Sequence, residues 1–131
     1  MPAVELITVP ELTAPPGYAH VAVATGARLV MTAGAVPLDA ERKLVGEGDF
    51  RAQAQQVIDN LMRQLAAGGA SGADVLKTTI YVVSTDLDEL DAVWDVVQAS
   101  PLAPAASTLL GVALLGFTGQ LVEIEAVAAL P

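Results

Sequence analysis

Two hydrophobic periods alternate along this chain, and their order lays out a fold. From Phe50 to Leu65 the residues Phe50, Ala54, Val57, Ile58, Leu61, Met62 and Leu65 stand three or four apart, which gathers them into one stripe of a helix. Asp49 offers its side chain to the first turn, and Gly68-Gly69 ends the run. A second stripe, Leu87, Leu90, Val93, Trp94 and Val97, predicts another helix opened by Thr85 or Asp86. Asp86, Asp88 and Glu89 suit its first turn, where the helix dipole favours negative charge. Period two takes over elsewhere. Tyr18 to Ala24, Leu29 to Ala33, Val75 to Val83, Ser107 to Leu115 and Leu121 to Ala128 all read as strands. Thr25-Gly26-Ala27 predicts a hairpin between the first two, and Gly116 to Gln120 a turn between the last two. Asp39 to Gly48 is a polar loop carrying Glu41, Arg42 and Lys43 in succession. Residues 1–16, with Pro2, Pro10, Pro15 and Pro16, predict an extended lead-in that Gly17 closes. The order of strands and helices predicts a single α+β domain over residues 1–131, with both helices on one face of the sheet.

Composition narrows the setting. At 131 residues the chain has the length of one ordinary domain, and 53% of it is hydrophobic. No apolar run approaches the ~20 residues a membrane span needs, because residues such as Asp49, Arg51, Lys77 and Asp86 interrupt the pattern. No basic-then-apolar leader precedes the lead-in, so the expectation is a cytoplasmic protein that engages no membrane. The absence of cysteine excludes disulfides, thiolate catalysis and thiolate-bound zinc. With one histidine and no metal-ligand spacing, no metal or cofactor is expected. Six basic residues against fifteen acidic ones give a formal charge of −9, and the basic residues are scattered. A polyanion would meet net repulsion, so nucleic acid is excluded as a partner. So aliphatic a chain of this size also predicts that some Val, Leu and Ala cover a subunit interface; the alternative is an unusually aliphatic core.

Short motifs then add a family. They are Gly17-Tyr18, Met31-Thr32-Ala33-Gly34-Ala35-Val36-Pro37, Asn60-Leu61, and the run Gly72-Ala73-Asp74-Val75-Leu76-Lys77-Thr78-Thr79-Ile80-Tyr81-Val82. Pro104-Ala105-Ala106-Ser107-Thr108 and Leu121 to Ala128 complete the set. Each is weak alone, but in this order, from about Pro16 to Ala128, the chain resembles the Rid (YjgF/L-PSP, reactive intermediate deaminase) family. The resemblance implies a chorismate-mutase-like fold with two helices packed on one face of a mixed sheet. It also implies a homotrimer with small-molecule clefts between subunits, and hydrolysis of imines or enamines.

Site residues follow from the same motifs. Glu123 matches the glutamate that positions or activates water in active relatives, and by period two it shares a face with Glu125. The alternative for that face is simple solvation at a sheet edge. Tyr18 matches a tyrosine at the cleft mouth, able to hydrogen-bond a substrate or to sit at a subunit boundary. Gly34 and Thr108 offer backbone donors for an anion or carbonyl. His20, two residues beyond Tyr18, is the best acid or base by pKa, and the alternative is a surface or interface histidine. Four positions depart from the family pattern: Ala106 stands where imine hydrolases have a carboxylate-gripping arginine, Ala33 for serine, Trp94 for asparagine and Leu110 for an acid. All four trade polar for apolar groups. Loss of a charge-assisted contact costs ~1.5–3 kcal/mol, so the expectation is an enzyme for a more apolar or uncharged substrate than a small imino acid, in a specialised pathway, with Ala106, Trp94 and His20 shaping the pocket. The alternative is a non-catalytic member that binds a metabolite or a protein partner.

Overall fold

A computed structural model of the chain describes residues 4–102 and 104–131. Pro2, part of the expected lead-in, lies outside them. Among the described residues six strands and two α-helices follow one another as β1 (Val4–Ile7), β2 (Val21–Ala24), β3 (Arg28–Met31), α1 (Phe50–Ala67), β4 (Val75–Val83), α2 (Leu87–Gln98), β5 (Ala106–Val112) and β6 (Val122–Leu130). A short 3-10 turn, Gly72–Asp74, leads into β4. The main sheet runs β3-β6-β4-β5, with β4 and β5 parallel and the other neighbours antiparallel. This is the α+β architecture of the sequence reading.

Alternation along the strands gives the sheet two unlike faces. Thr78, Ile80 and Val82 of β4 and Val122, Ile124, Ala126 and Ala128 of β6 are buried, against Ala54, Val57, Ile58, Leu61 and Leu65 of α1 and Val93 and Val97 of α2. The helices form as their caps dictate: the Asp49 side chain accepts from the Ala52 amide at 3.0 Å, and that of Asp86 from the Asp88 amide at 2.8 Å. Among the described residues the other face has no helix. Leu29 and Met31 of β3 stand there 61% and 73% exposed, so apolar surface is left uncovered on this side of one chain.

Two strand expectations need correction. The predicted hairpin of the second and third strands does not form: β2 pairs with β1, from Val4↔Ala24 to Ile7↔Val21, and β3 pairs with β6 instead. β1 and β2 make a separate ribbon, and the turn at Gly26, with φ of 59°, carries the chain on to β3 at the sheet's outer edge. The lead-in therefore contains a strand. β5 ends at Val112 rather than Leu115, since its partner β4 ends opposite it at Val83 and offers nothing further to bond.

Candidate functional site

Register decides which side chains share the helix-free face. On β4, Lys77, Thr79 and Tyr81 point there; opposite them on β5 are Ala106, Thr108 and Leu110, and on β6 Val127, Glu125 and Glu123. Chemistry collects at two places on this surface.

The first place surrounds Glu123. The turn before β6 buries Gln120, whose Nε2 donates to Glu123 Oε1 at 3.1 Å and to the Val122 carbonyl at 3.1 Å. The carboxylate lies directly over Gly34, where a Cβ would collide with it. Gly34 is thus required for close approach. The Ala35 amide donates to the Ile124 carbonyl at 2.7 Å, which pins Gly34 beside β6. Gln53, fully buried in α1, fixes the turn itself: its Nε2 donates to the carbonyls of Gly46 and Gly119 at 3.1 and 3.0 Å, and its Oε1 accepts from the Leu121 amide at 2.7 Å. Glu125 is not simply solvated. Tyr81 reaches diagonally across to donate its phenolic proton to Glu125 Oε1. That hydrogen bond to the carboxylate, then desolvation, then the charges of Glu125 and Glu123, raise the Tyr81 pKa above the ordinary 10.0.

The second place lies at the start of β5. The Ala19 amide donates to the Ala105 carbonyl at 3.2 Å, and Ala19 bridges to Ala106, which brings Tyr18 and His20 alongside that strand. Gly17 makes the approach with φ of 88°, and a Cβ there would strike the Gln98 side chain of α2. Trp94, half-buried rather than in the core, donates from Nε1 to the Pro16 carbonyl at 2.9 Å. Its ring meets that of Tyr18 edge-on at 6.1 Å between centroids, and Tyr18 meets His20 at 6.2 Å. Both ring nitrogens of His20 are engaged by the lead-in: Nδ1 accepts from the Val9 amide at 2.9 Å, so Nε2 carries the proton and donates to the Thr13 carbonyl at 3.0 Å. His20 thereby ties down the lead-in. Thr108 accepts from Lys77 Nζ at 2.6 Å.

The two places are far apart within one chain. Glu123 registers with Tyr81 and Ala106 with Lys77, four residues along β4 and on opposite sides of it. At ~3.3 Å per residue and ~4.8 Å between strands, their Cα atoms are about 16 Å apart. Glu123 and Gly34 come together, as do Tyr18, His20, Trp94 and Ala106; one small molecule cannot touch both groups in the same subunit. Sequence reasoning missed Gln120, Gln53, Tyr81 and Lys77 as members of these clusters. Gln53 did carry a signal, a polar residue on the apolar side of α1.

Comparison with known proteins identifies the fold and its family. Residues 9–130 match the family described as Endoribonuclease L-PSP. A RutC family protein of Synechocystis is 34% identical over 129 residues, covering 97% of each chain. The 2-iminobutanoate/2-iminopropanoate deaminase of Salmonella typhimurium is 37% identical over 54 residues, or 41% of each chain. Among solved structures, the Rid family protein YyfB from Yersinia pestis, of unknown function, superposes with a TM-score of 0.87 at 34% identity, covering 98% of this chain and 99% of that one. The E. coli TdcF structure with bound serine shares the fold, with a TM-score of 0.68 at 23% identity over 97% of this chain and 99% of that one.

Proposed function

The chain belongs to the Rid (L-PSP) family, and from that premise we propose that it hydrolyses an imine, or the enamine in equilibrium with it, in a cleft between subunits of a homotrimer. The observation that carries the reading is Glu123, a carboxylate clamped by Gln120 over the bare backbone of Gly34 on a face with no helix. Such a group takes a proton from water as the oxygen attacks the C=N carbon and passes it to nitrogen, giving a carbinolamine; it then takes the carbinolamine's hydroxyl proton and delivers it to nitrogen as the C–N bond breaks, ammonia leaves and a carbonyl forms. Gly34 and Thr108 orient the substrate, with Tyr18 at the mouth. Separation of Glu123 from Ala106 by about 16 Å favours an assembly in which a second copy brings its Ala106 and Tyr18 group to the first copy's Glu123. The exposed Leu29 and Met31 are apolar surface for such packing. Ala106 and Trp94 favour a substrate with a bulkier, more apolar body than the smallest imino acids.

Among the described residues no helix is long and apolar enough to cross a membrane. A formal charge of −9 speaks against RNA as substrate.

Hydrolysis of freshly generated imino acids of alanine and leucine, followed as loss of the imine, tests the reading. The native chain should act, and prefer the leucine compound, while Glu123→Gln should lose at least a hundredfold in rate. No turnover together with tight binding of a small apolar ligand would make the protein a non-catalytic binder. A monomer in sedimentation would remove the shared cleft.

A further inference from the structure

Lys77 has a setting that its sequence position does not reveal. It is the direct cross-strand neighbour of Ala106, on the helix-free face. Among the described residues it is the one basic side chain on that face. Arg28 alternates with Leu29 and Met31 and so shares the phase of Val30, which packs towards the core. Arg42 and Lys43 belong to the 39–48 loop, Arg51 is paired with Asp95 at 3.1 Å, and Arg63 donates to Asn60 at 3.0 Å.

One of the three protons of the Lys77 ammonium has a partner among the described residues, Thr108 Oγ1 at 2.6 Å. No described carboxylate lies within ion-pair distance, since Arg51–Asp95 is the one such pair found. The acids that share the face are held elsewhere, Glu125 by Tyr81 and Glu123 by Gln120. An ammonium with protons to spare at the surface of the helix-free face, next to a hydroxyl held by the same strand pair, offers charge-assisted hydrogen bonds to an oxyanion. Ala106 sets only a methyl group beside it, and the Ala19 bridge brings Tyr18, edge-on to Trp94, to the outer edge of β5 at this strand end.

We propose that Lys77 and Thr108 form the anion anchor of the cleft and receive the carboxylate of a small organic acid whose apolar body lies over Ala106 towards Tyr18 and Trp94. This rests on the cleft reading above and deepens it: the substrate is an imino acid with a sizeable apolar side chain, held by a single ammonium and a hydroxyl. A point charge on a flexible stem sets the position of a carboxylate less strictly than a planar fork does. The anchor therefore tolerates acids of different bulk, as the emptied Ala106 position requires.

The test uses the keto acid of leucine, the stable product of the corresponding imine, and its uncharged amide, titrated calorimetrically into the intact protein. The native chain should prefer the acid, and the preference should shrink as salt rises. Lys77→Met should weaken the acid ten- to a hundredfold and leave the amide unchanged, Lys77→Arg should keep most of the acid affinity, and Thr108→Val should weaken it several-fold. Equal acid affinity in native protein and Lys77→Met overturns the proposal, as does failure of the native chain to bind the acid at millimolar concentration. If Lys77→Met dissociates in sedimentation and Lys77→Arg reassembles without binding the acid, Lys77 is a subunit contact and the proposal also falls. The two readings fail separately: imine hydrolysis that survives Lys77→Met removes the anchor alone, and Lys77-dependent acid binding without hydrolysis removes the enzyme alone.

Discussion

Replacing Gln53 by methionine would test how the fold supports the site. Methionine keeps the length and much of the volume of glutamine, so α1 should pack with little cavity. What disappears is the three-way tie to Gly46, Gly119 and Leu121. The Gly119 carbonyl can turn to water, because that residue is exposed; the Leu121 amide and the Gly46 carbonyl are half-buried and lose their partner. A buried group left unsatisfied costs about 1–3 kcal/mol, while burying a thioether in place of an amide returns about 1 kcal/mol. The net loss is about 1–5 kcal/mol, a large part of the 5–15 kcal/mol typical of a domain, and its middle corresponds to a fall in Tm of roughly 10 °C. Urea unfolding at fixed protein concentration, which keeps any subunit linkage constant, reads the effect as a lower midpoint with unchanged slope. The turn that Gln53 holds also carries Gln120, so kcat should fall while KM moves less. A loss below 1 kcal/mol, or full activity, would show that the turn keeps its shape without this tie.

Two further perturbations act on the same face. Gly34→Ala leaves the backbone unstrained, since Gly34 has no left-handed φ, but its methyl strikes the mobile end of Glu123. Tm should stay within a few degrees and Glu123-dependent turnover should fall about a hundredfold, as a ~1 Å misplacement does; unaltered turnover would remove Glu123 from the chemistry. Tyr81→Phe should abolish a phenolate absorbance step above pH 10, because Glu125 and burial raise the Tyr81 pKa from 10.0. The sign is that of a raised acid: the Tyr81–Glu125 bond stabilises fully below the ordinary tyrosine value and is lost as pH climbs through the folded one. Urea midpoints should therefore differ between native protein and Tyr81→Phe at pH 8 and converge at strongly alkaline pH; a constant difference would show that the bond adds nothing.

Periodicity read the two helices correctly because their apolar stripes and caps are local: Asp49 and Asp86 sit within three residues of the amides they satisfy. It failed at the first hairpin for a non-local reason. Nothing between Tyr18 and Met31 announces that Val4–Ile7, a dozen residues before, will pair with β2, and that β3 will pair with β6. The end of β5 at Val112 was hidden in the same way, since it is set by where β4 stops rather than by any change in the apolar run through Leu115.

The site divides along the same line. Gly34 and Glu123 were legible because their motifs are contiguous and the resemblance gave each a role. Lys77 was not, because a strand's side chains answer to residues across the ladder: Lys77 reaches Thr108, 31 positions ahead. Reading Ala106 alone, one sees a lost cation and infers a neutral pocket. Reading it with its neighbour, one sees that the row Met31, Val127, Lys77, Ala106 still contains one charge, displaced by a strand spacing of ~4.8 Å. A carboxylate held there would sit closer to β4 than one gripped from β5, and its reacting carbon would move with it. The enlarged space at Ala106 and the altered anchor are then two sides of one change, in which the ligand shifts towards the sheet and its apolar side chain takes the volume left behind.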